Sequence, residues 1–141
     1  MRALPPLLVA LLVVLAIAAP AASAATPQIL SDRVANDECG ACHMPFPPNF
    51  LPKNSWKRIM ANLDNHFGGD ASLDPKTRDH IAAFYARYGA VSGDNVLRVT
   101  ETRWWRRIHG YEIPARVWTQ VGSKANCLAC HVVSRRGAEN E

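Results

Sequence analysis

Two five-residue stretches decide the architecture: CGACH at residues 39–43 and CLACH at residues 127–131. Together they contain all four cysteines of the 141-residue chain, and a histidine directly follows each cysteine pair. C-x-x-C-H is the sequence to which haem c is attached. Each cysteine pair would form thioethers to one haem from one side of a helical turn, and the histidine would become the proximal iron ligand. The predicted attachment residues are Cys39, Cys42, Cys127 and Cys130, with His43 and His131 as proximal ligands.

Three other uses of paired cysteines are less consistent with this pattern. Structural disulfides do not require a histidine after each pair. A thioredoxin-like redox pair normally occurs once, after a strand, and neither copy here has a β-rich context. A zinc site remains compatible with the spacing. Two complete motifs with no cysteine left over favour two covalently attached haems c.

The N-terminus has the layout of a secretory signal peptide. Arg2 precedes an apolar run over residues 7–19, and Ala22-Ser23-Ala24 forms an A-x-A cleavage site. Thirteen apolar residues are fewer than the roughly 20 that a membrane-spanning helix needs. We expect cleavage after about Ala24, which makes residues 1–24 the signal peptide and residues 25–141 one dihaem domain. The mature protein would be periplasmic and without stable membrane insertion; an uncleaved anchor is the alternative.

Composition argues for cofactors in the core and against nucleic acid as a partner. Without Arg2 the chain has 15 basic and 12 acidic residues, a net charge of only about +3. The basic and aromatic run RWWRR at residues 103–107 is therefore a poor candidate for a nucleic-acid patch. Ten prolines, three of them in the predicted signal peptide, interrupt regular structure, so the side-chain core should be thin and two haems would fill it. Several arginines should pair with the haem propionates, which add a charge of about −4.

The second axial ligand of each iron is found by elimination. Histidine and methionine are the usual donors. Met44 directly follows His43 and cannot reach the far side of the same haem. The remaining candidates in the mature chain are His66, His80, His109 and Met60.

Apolar periodicity places these candidates on three predicted helices, so the fold class is all-α: short helices and loops wrapped around two covalently attached haems. The first helix runs from a cap at Asn54 or Ser55 to about Phe67, the second over residues 74–88, and the third over residues 100–109. Residues 44–52 and 90–99 are predicted loops. A short helix follows Pro114, and Ser123 is expected to cap a helix that carries the second motif.

Position on these helices favours two histidines as distal ligands. His66 lies at the edge of an apolar stripe in the last turn of its helix. His109 shares an arc with Trp104, Trp105 and Ile108, while the neighbouring arginines lie on the opposite side. Met60 lies in mid-stripe, where it is interpreted as a core residue. His80 lies outside the apolar face of its helix and is interpreted as structural. We expect His66 and His109 to complete two bis-histidine irons. Proximity in the sequence pairs His43 with His66 and His131 with His109, and the crossed arrangement is the alternative.

The chain resembles the small dihaem cytochromes c of bacterial periplasms. The resemblance rests on both C-x-x-C-H motifs, a Trp-x-x-Ile-Met segment that runs to His66-Phe67-Gly68 and Ala71-Ser72-Leu73, and a tryptophan-containing helix that ends at His109. In that family both haems have two histidine ligands, and His66 and His109 match the distal positions. The terminal segment SRRGAENE departs from the more acidic, aromatic segment expected there, which puts partner docking in doubt.

The resemblance implies an electron carrier and not an enzyme. The expected partners are redox proteins, among them an oxygen-binding monohaem cytochrome c and a membrane b-type cytochrome. Two alternatives remain: a haem enzyme or gas-binding sensor with one five-coordinate iron, and a cytochrome subunit of a larger oxidoreductase. No acid–base set of side chains lies beside either haem motif in the sequence, which argues against the enzyme.

Overall fold

The computed structural model describes residues 29–131; the predicted signal peptide, residues 1–24, lies outside them. The described part consists of short helices and 3-10 turns with isolated β-bridges and no strand, so the all-α prediction is confirmed. No helix in it is long and apolar enough to cross a bilayer. The helices are α1 (Arg33–Cys39), α2 (Lys53–Met60), α3 (Pro75–Tyr88), α4 (Arg103–His109) and α5 (Ala115–Val121).

The side-chain core lies mainly between α2 and α3. Trp56 of α2 stacks on Tyr85 of α3, with ring centroids 4.0 Å apart. Both polar ends are satisfied, because the Trp56 indole donates to the Pro48 carbonyl at 2.6 Å and the Tyr85 hydroxyl donates to the Phe46 carbonyl at 3.1 Å. This pair therefore fixes the proline-rich loop that follows the first haem motif.

Gly89 allows the end of α3 to approach the start of α2. A Cβ atom at this position would lie 2.7 Å from the Tyr85 carbonyl oxygen and 3.2 Å from the Lys53 Cα atom. Next to it, the Lys53 amide donates to the Ala90 carbonyl, and the Ala90 amide donates to the Leu51 carbonyl, both at 3.0 Å. The two helices are thus joined through backbone as well as through side chains.

Helix α1, which ends at Cys39, is held from both sides. Its N-cap Asp32 accepts from the Ala35 amide at 2.9 Å and contacts His80 of α3 at 2.8 Å. Asn36 is fully buried and its side-chain oxygen accepts from two backbone amides of the preceding segment. The interpretation of His80 as structural agrees with this contact between α1 and α3.

Helix α4 begins later than its predicted start at Thr100. Residues 99–101 form a 3-10 turn, and Thr102 caps α4 by accepting from the Trp105 amide at 3.3 Å. Asp94, from the predicted loop, accepts from both the amide and the side-chain Nε of Arg103 at 2.6 Å. The loop over residues 90–99 therefore anchors the first turn of α4.

The prediction of the first helix is wrong at both ends. The observed helix α2 begins at Lys53, before the predicted cap at Asn54 or Ser55, and ends at Met60 instead of Phe67. The asparagines and aspartate of residues 62–65 favour turns over helix interior, and they form a separate 3-10 turn, Leu63–Asn65. Likewise, the second motif lies on the 3-10 turn Cys127–Ala129 and not on an α-helix, although Ser123 Oγ does accept from the Ala125 amide.

Candidate haem sites

The first haem motif begins at the C-terminus of α1. Cys39 is partly buried and Cys42 is exposed, and burial raises the pKa of the Cys39 thiol. The Nδ1 atom of His43 lies 2.8 Å from the Met44 carbonyl oxygen. Because a carbonyl can only accept, this contact assigns the ring proton to Nδ1. The Nε2 lone pair of His43 is thereby left free to bind a metal.

His66 lies at the start of a tight turn, which replaces the predicted helix end. Its amide donates to the Gly69 carbonyl at 2.7 Å, and the Gly69 amide donates back to the His66 carbonyl at 3.2 Å. The two residues between them have positive φ, 57° at Phe67 and 100° at Gly68. Positive φ is unfavourable for a bulky residue such as Phe67, so the turn is held by its surroundings.

The turn brings His66 opposite His43. Their ring centroids are 6.3 Å apart and their planes differ by 16°. Histidine nitrogen–metal bonds are about 2 Å long, so two imidazoles on opposite sides of one metal hold their ring centroids about 6 Å apart. The spacing of these two rings therefore fits one iron between them.

A cavity of about 380 Å³ opens between these two rings. Its wall contains both cysteines of the first motif and core side chains from α2 and α3, namely Trp56, Ile59, Met60 and Tyr85. Arg98 also lines it, with its guanidinium 4.1 Å from the centre of the Phe67 ring. Burial lowers the pKa of His66, and the nearby His43 and Arg98 lower it further. His66 is thus kept neutral, the form that binds iron.

The second pair of histidines joins the end of α4 to the C-terminal motif. The rings of His109 and His131 have centroids 6.0 Å apart, and their planes differ by 69°. His109 Nδ1 lies 3.2 Å from the Trp105 carbonyl, which again leaves Nε2 free. The spacing matches that of the first pair, so each motif histidine faces a second histidine.

Aromatic side chains support the second pair from one side. Trp105 is buried and stacks on His109 at 4.7 Å, and Trp118 of α5 packs against Trp105 at 5.7 Å. Lys124 lies 5.9 Å from both indole rings. Burial raises the pKa of the Cys127 thiol, while Cys130 is exposed. In each motif, therefore, the first cysteine is the more buried one.

The structure separates the two tryptophans that were predicted to share one arc of the helix with His109. Trp104 turns away from His109 and packs edge-on against Phe50 at 5.1 Å. Ile108, which was expected on the buried arc, is 49% exposed. Consecutive residues of a helix point about 100° apart. Trp105 and His109 are four residues apart and share one face of α4, whereas Trp104 and Ile108 share the neighbouring face.

The remaining candidate ligands lie outside both pairs. Met60 is 8% exposed and belongs to the core, as interpreted from its position in the stripe. His80 contacts Asp32 on the surface. Among residues 29–131, no three histidine, cysteine or acidic side chains are grouped to hold a metal ion. The histidines come together in twos, the number of axial ligands that a haem iron accepts.

Sequence reasoning did not single out Arg98 or the conformation of Phe67. Arginines were expected near haem propionates as a group, but nothing in the local pattern distinguished Arg98 from the others. The pair Gly68-Gly69 did indicate a tight turn. The positive φ at the residue before it is a property of the folded chain.

The profile of the family described as dihaem cytochrome c matches residues 35–138. The match covers both motifs and both histidine pairs. The chain belongs to the dihaem cytochromes c, and the protein accordingly carries two haems c. The attachment chemistry assigned to the two C-x-x-C-H motifs agrees with this number.

Solved structures agree with the family assignment. The crystal structure of DHC from Rhodobacter sphaeroides is 41% identical, with a TM-score of 0.69 over 73% of this chain and 92% of that one. The diheme cytochrome c of Shewanella baltica OS155 is 39% identical, with a TM-score of 0.63 over 73% of this chain and 82% of that one. No curated protein matches significantly.

Proposed function

We propose that the protein is a periplasmic electron-transfer cytochrome with two low-spin, bis-histidine haems. The observation that carries this proposal is the pairing of each motif histidine with one distal histidine, at ring-centroid spacings of 6.3 and 6.0 Å. His43 and His66 are the proposed axial ligands of the first haem, and His131 and His109 those of the second. This is the pairing of nearest neighbours along the sequence, and the crossed arrangement is the alternative.

Two ligated axial positions leave no site on either iron for a substrate or a gas. Such an iron changes its oxidation state by one electron without exchanging ligands, which suits a carrier. Without a methionine ligand to raise them, both potentials should be low. The competing proposal, an enzyme or gas sensor with one five-coordinate iron, requires one of the four histidines to be free.

The location and partners are part of the same proposal. Export through the predicted signal peptide would place the chain where c-type haem is attached in bacteria. An oxygen-binding monohaem cytochrome c as acceptor and a membrane b-type cytochrome as donor are the proposed partners, on the family resemblance alone.

Carbon monoxide binding tests the ligation. The ferrous wild-type protein should show no change in its Soret band with carbon monoxide at neutral pH. His66→Ala and His109→Ala should each open one of the two haems, so that half of the Soret absorbance shifts. His80→Ala is the matched control, a histidine of the same chain outside both pairs, and should behave as wild type. A carbon monoxide-reactive wild type would overturn the bis-histidine proposal.

Variants with one haem decide the pairing. Replacing Cys127 and Cys130 by alanine removes the second attachment site and leaves the first haem. In that background, His66→Ala should open the remaining iron to carbon monoxide and His109→Ala should not. The reverse result would establish the crossed arrangement and leave the electron-transfer function intact.

A further inference from the structure

A second concavity, separate from the haem sites, lies along the outer side of α2 and α3. It is a groove of about 1080 Å³. Its floor on α3 is made of small side chains, Ala82, Ala83 and Ala86. We call this concavity the α2–α3 groove.

Basic side chains dominate the rim of the α2–α3 groove. Lys53, Lys57 and Arg78 line it, with Asp64 as the single carboxylate in its lining. Arg78 pairs with its neighbour Asp79 at 2.8 Å, so its charge is partly compensated. Within residues 29–131, Lys53 and Lys57 form no salt bridge. The two lysines, one turn apart on α2, therefore give the groove an uncompensated positive charge.

The groove is separated from the first haem site by a wall one side chain thick. Met60, Leu63 and Leu73 line both the α2–α3 groove and the cavity between His43 and His66. A molecule seated in the groove would contact the outer side of the same residues that enclose the first haem. Electron transfer becomes steeply slower with distance. A redox partner seated against this thin apolar wall would therefore exchange electrons with the first haem faster than one seated against a thicker part of the chain.

We propose that the α2–α3 groove is the docking surface for a redox protein with an acidic rim around its own cofactor, and that one electron crosses the Met60–Leu63–Leu73 wall. The proposal rests on the electron-transfer function proposed above. The electron leaves a reduced partner cofactor, and one haem iron passes from ferric to ferrous; the reverse transfer uses the same path. Charge complementarity with Lys53 and Lys57 would guide the encounter and hold the partner in register. Encounters of this kind bury little area and depend strongly on salt.

Stopped-flow reduction of the ferric protein by reduced flavodoxin, a strongly acidic flavoprotein, tests the proposal. The wild-type second-order rate constant should fall as ionic strength rises. Lys53→Glu/Lys57→Glu should lower the low-salt rate constant at least about tenfold.

The matched control, Lys76→Glu/Arg87→Glu, makes the same charge change on exposed residues of α3 outside the groove. It should change the rate constant less than about threefold. Soret and far-ultraviolet spectra check that both variants fold, and Lys57→Gln, with a smaller expected loss, replaces the double variant if it does not.

Three results would overturn the groove proposal. Equal losses in the two double variants would mean that net charge, not the groove, guides the partner. Failure of flavodoxin to reduce a wild type that small mediators do reduce would also exclude it. A wild-type dimer that Lys53→Glu/Lys57→Glu converts to a monomer would identify the groove as a contact between copies of the chain. Haems that no mediator can reduce reversibly would instead refute the electron-transfer function itself.

Discussion

His43 and His66 face each other with nearly parallel rings, 16° apart, whereas the rings of His109 and His131 differ by 69°. The two pairs have almost the same centroid spacing, so they differ mainly in orientation. The first pair is held between the Met44 carbonyl and the turn at His66, and the second is aligned by the stack on Trp105. The two haems should therefore be electronically inequivalent.

Electron paramagnetic resonance of the ferric protein should resolve this difference. Parallel axial imidazoles give low-spin iron a rhombic spectrum, whereas nearly perpendicular imidazoles give a strongly anisotropic one with a single prominent low-field feature. We expect one signal of each kind at equal intensity. His109→Ala should abolish the anisotropic signal and keep the rhombic one. Two identical rhombic signals in the wild type would contradict the orientations.

Loss of His80 should affect stability and leave both haems unchanged. Its contact with Asp32 is partly exposed, and such pairs contribute about 0–1 kcal/mol. Asp32→Ala should cost more, about 1–2 kcal/mol, because it also removes the N-cap of α1. Urea unfolding followed by circular dichroism gives both values, with Soret spectra as the control. A spectral change in His80→Ala would mean that His80 is a ligand after all.

The sequence was most informative where covalent chemistry or capping acts locally. The C-x-x-C-H motifs, the Asp74 cap with Pro75 and the end of α3 at Gly89 follow from spacing and propensity, and the structure contains the predicted α3. The candidate distal ligands could be narrowed to a short set, because the chain contains few histidines and methionines outside the two motifs. Their pairing, in contrast, depends on contacts between residues far apart in the sequence.

Helix ends beside the sites were the least predictable part. The stripe that ends at Phe67 suggested one long helix, yet the chain leaves α2 at Met60 and presents His66 from a turn. That turn is stabilised by tertiary contacts, among them Arg98 over the Phe67 ring. Local periodicity carries no information about such a contact.

Arg98 should raise the reduction potential of the first haem. Its positive charge lines the cavity and favours the ferrous form, which carries one positive charge less. At an interaction energy of roughly 1 kcal/mol between this charge and the iron, Arg98→Met should lower the reduction potential of the first haem by on the order of 40 mV. Spectroelectrochemical titration of both haems measures this change, and only one potential should move.

Arg107→Met is the control for this change, because Arg107 is exposed on α4 and does not line the cavity. It removes the same charge and should leave the potential of the first haem unchanged. Equal shifts in the two variants would show that Arg98 acts only through net charge.

The Asp94–Arg103 contact should make the anchoring of α4 sensitive to acid. The hydrogen bond from the Arg103 amide, reinforced by the bond from its side chain, lowers the pKa of Asp94 below its usual value. The stabilisation from a carboxylate with a lowered pKa is fully present above about pH 3.9, the unfolded-state value. It is lost as pH falls through the lower folded-state pKa.

Wild type should therefore unfold at higher urea concentration than Asp94→Asn at pH 7, and the difference should shrink progressively below pH 4. If the difference in unfolding urea concentration between wild type and Asp94→Asn stays constant down to pH 2, the charge of Asp94 does not contribute to the contact.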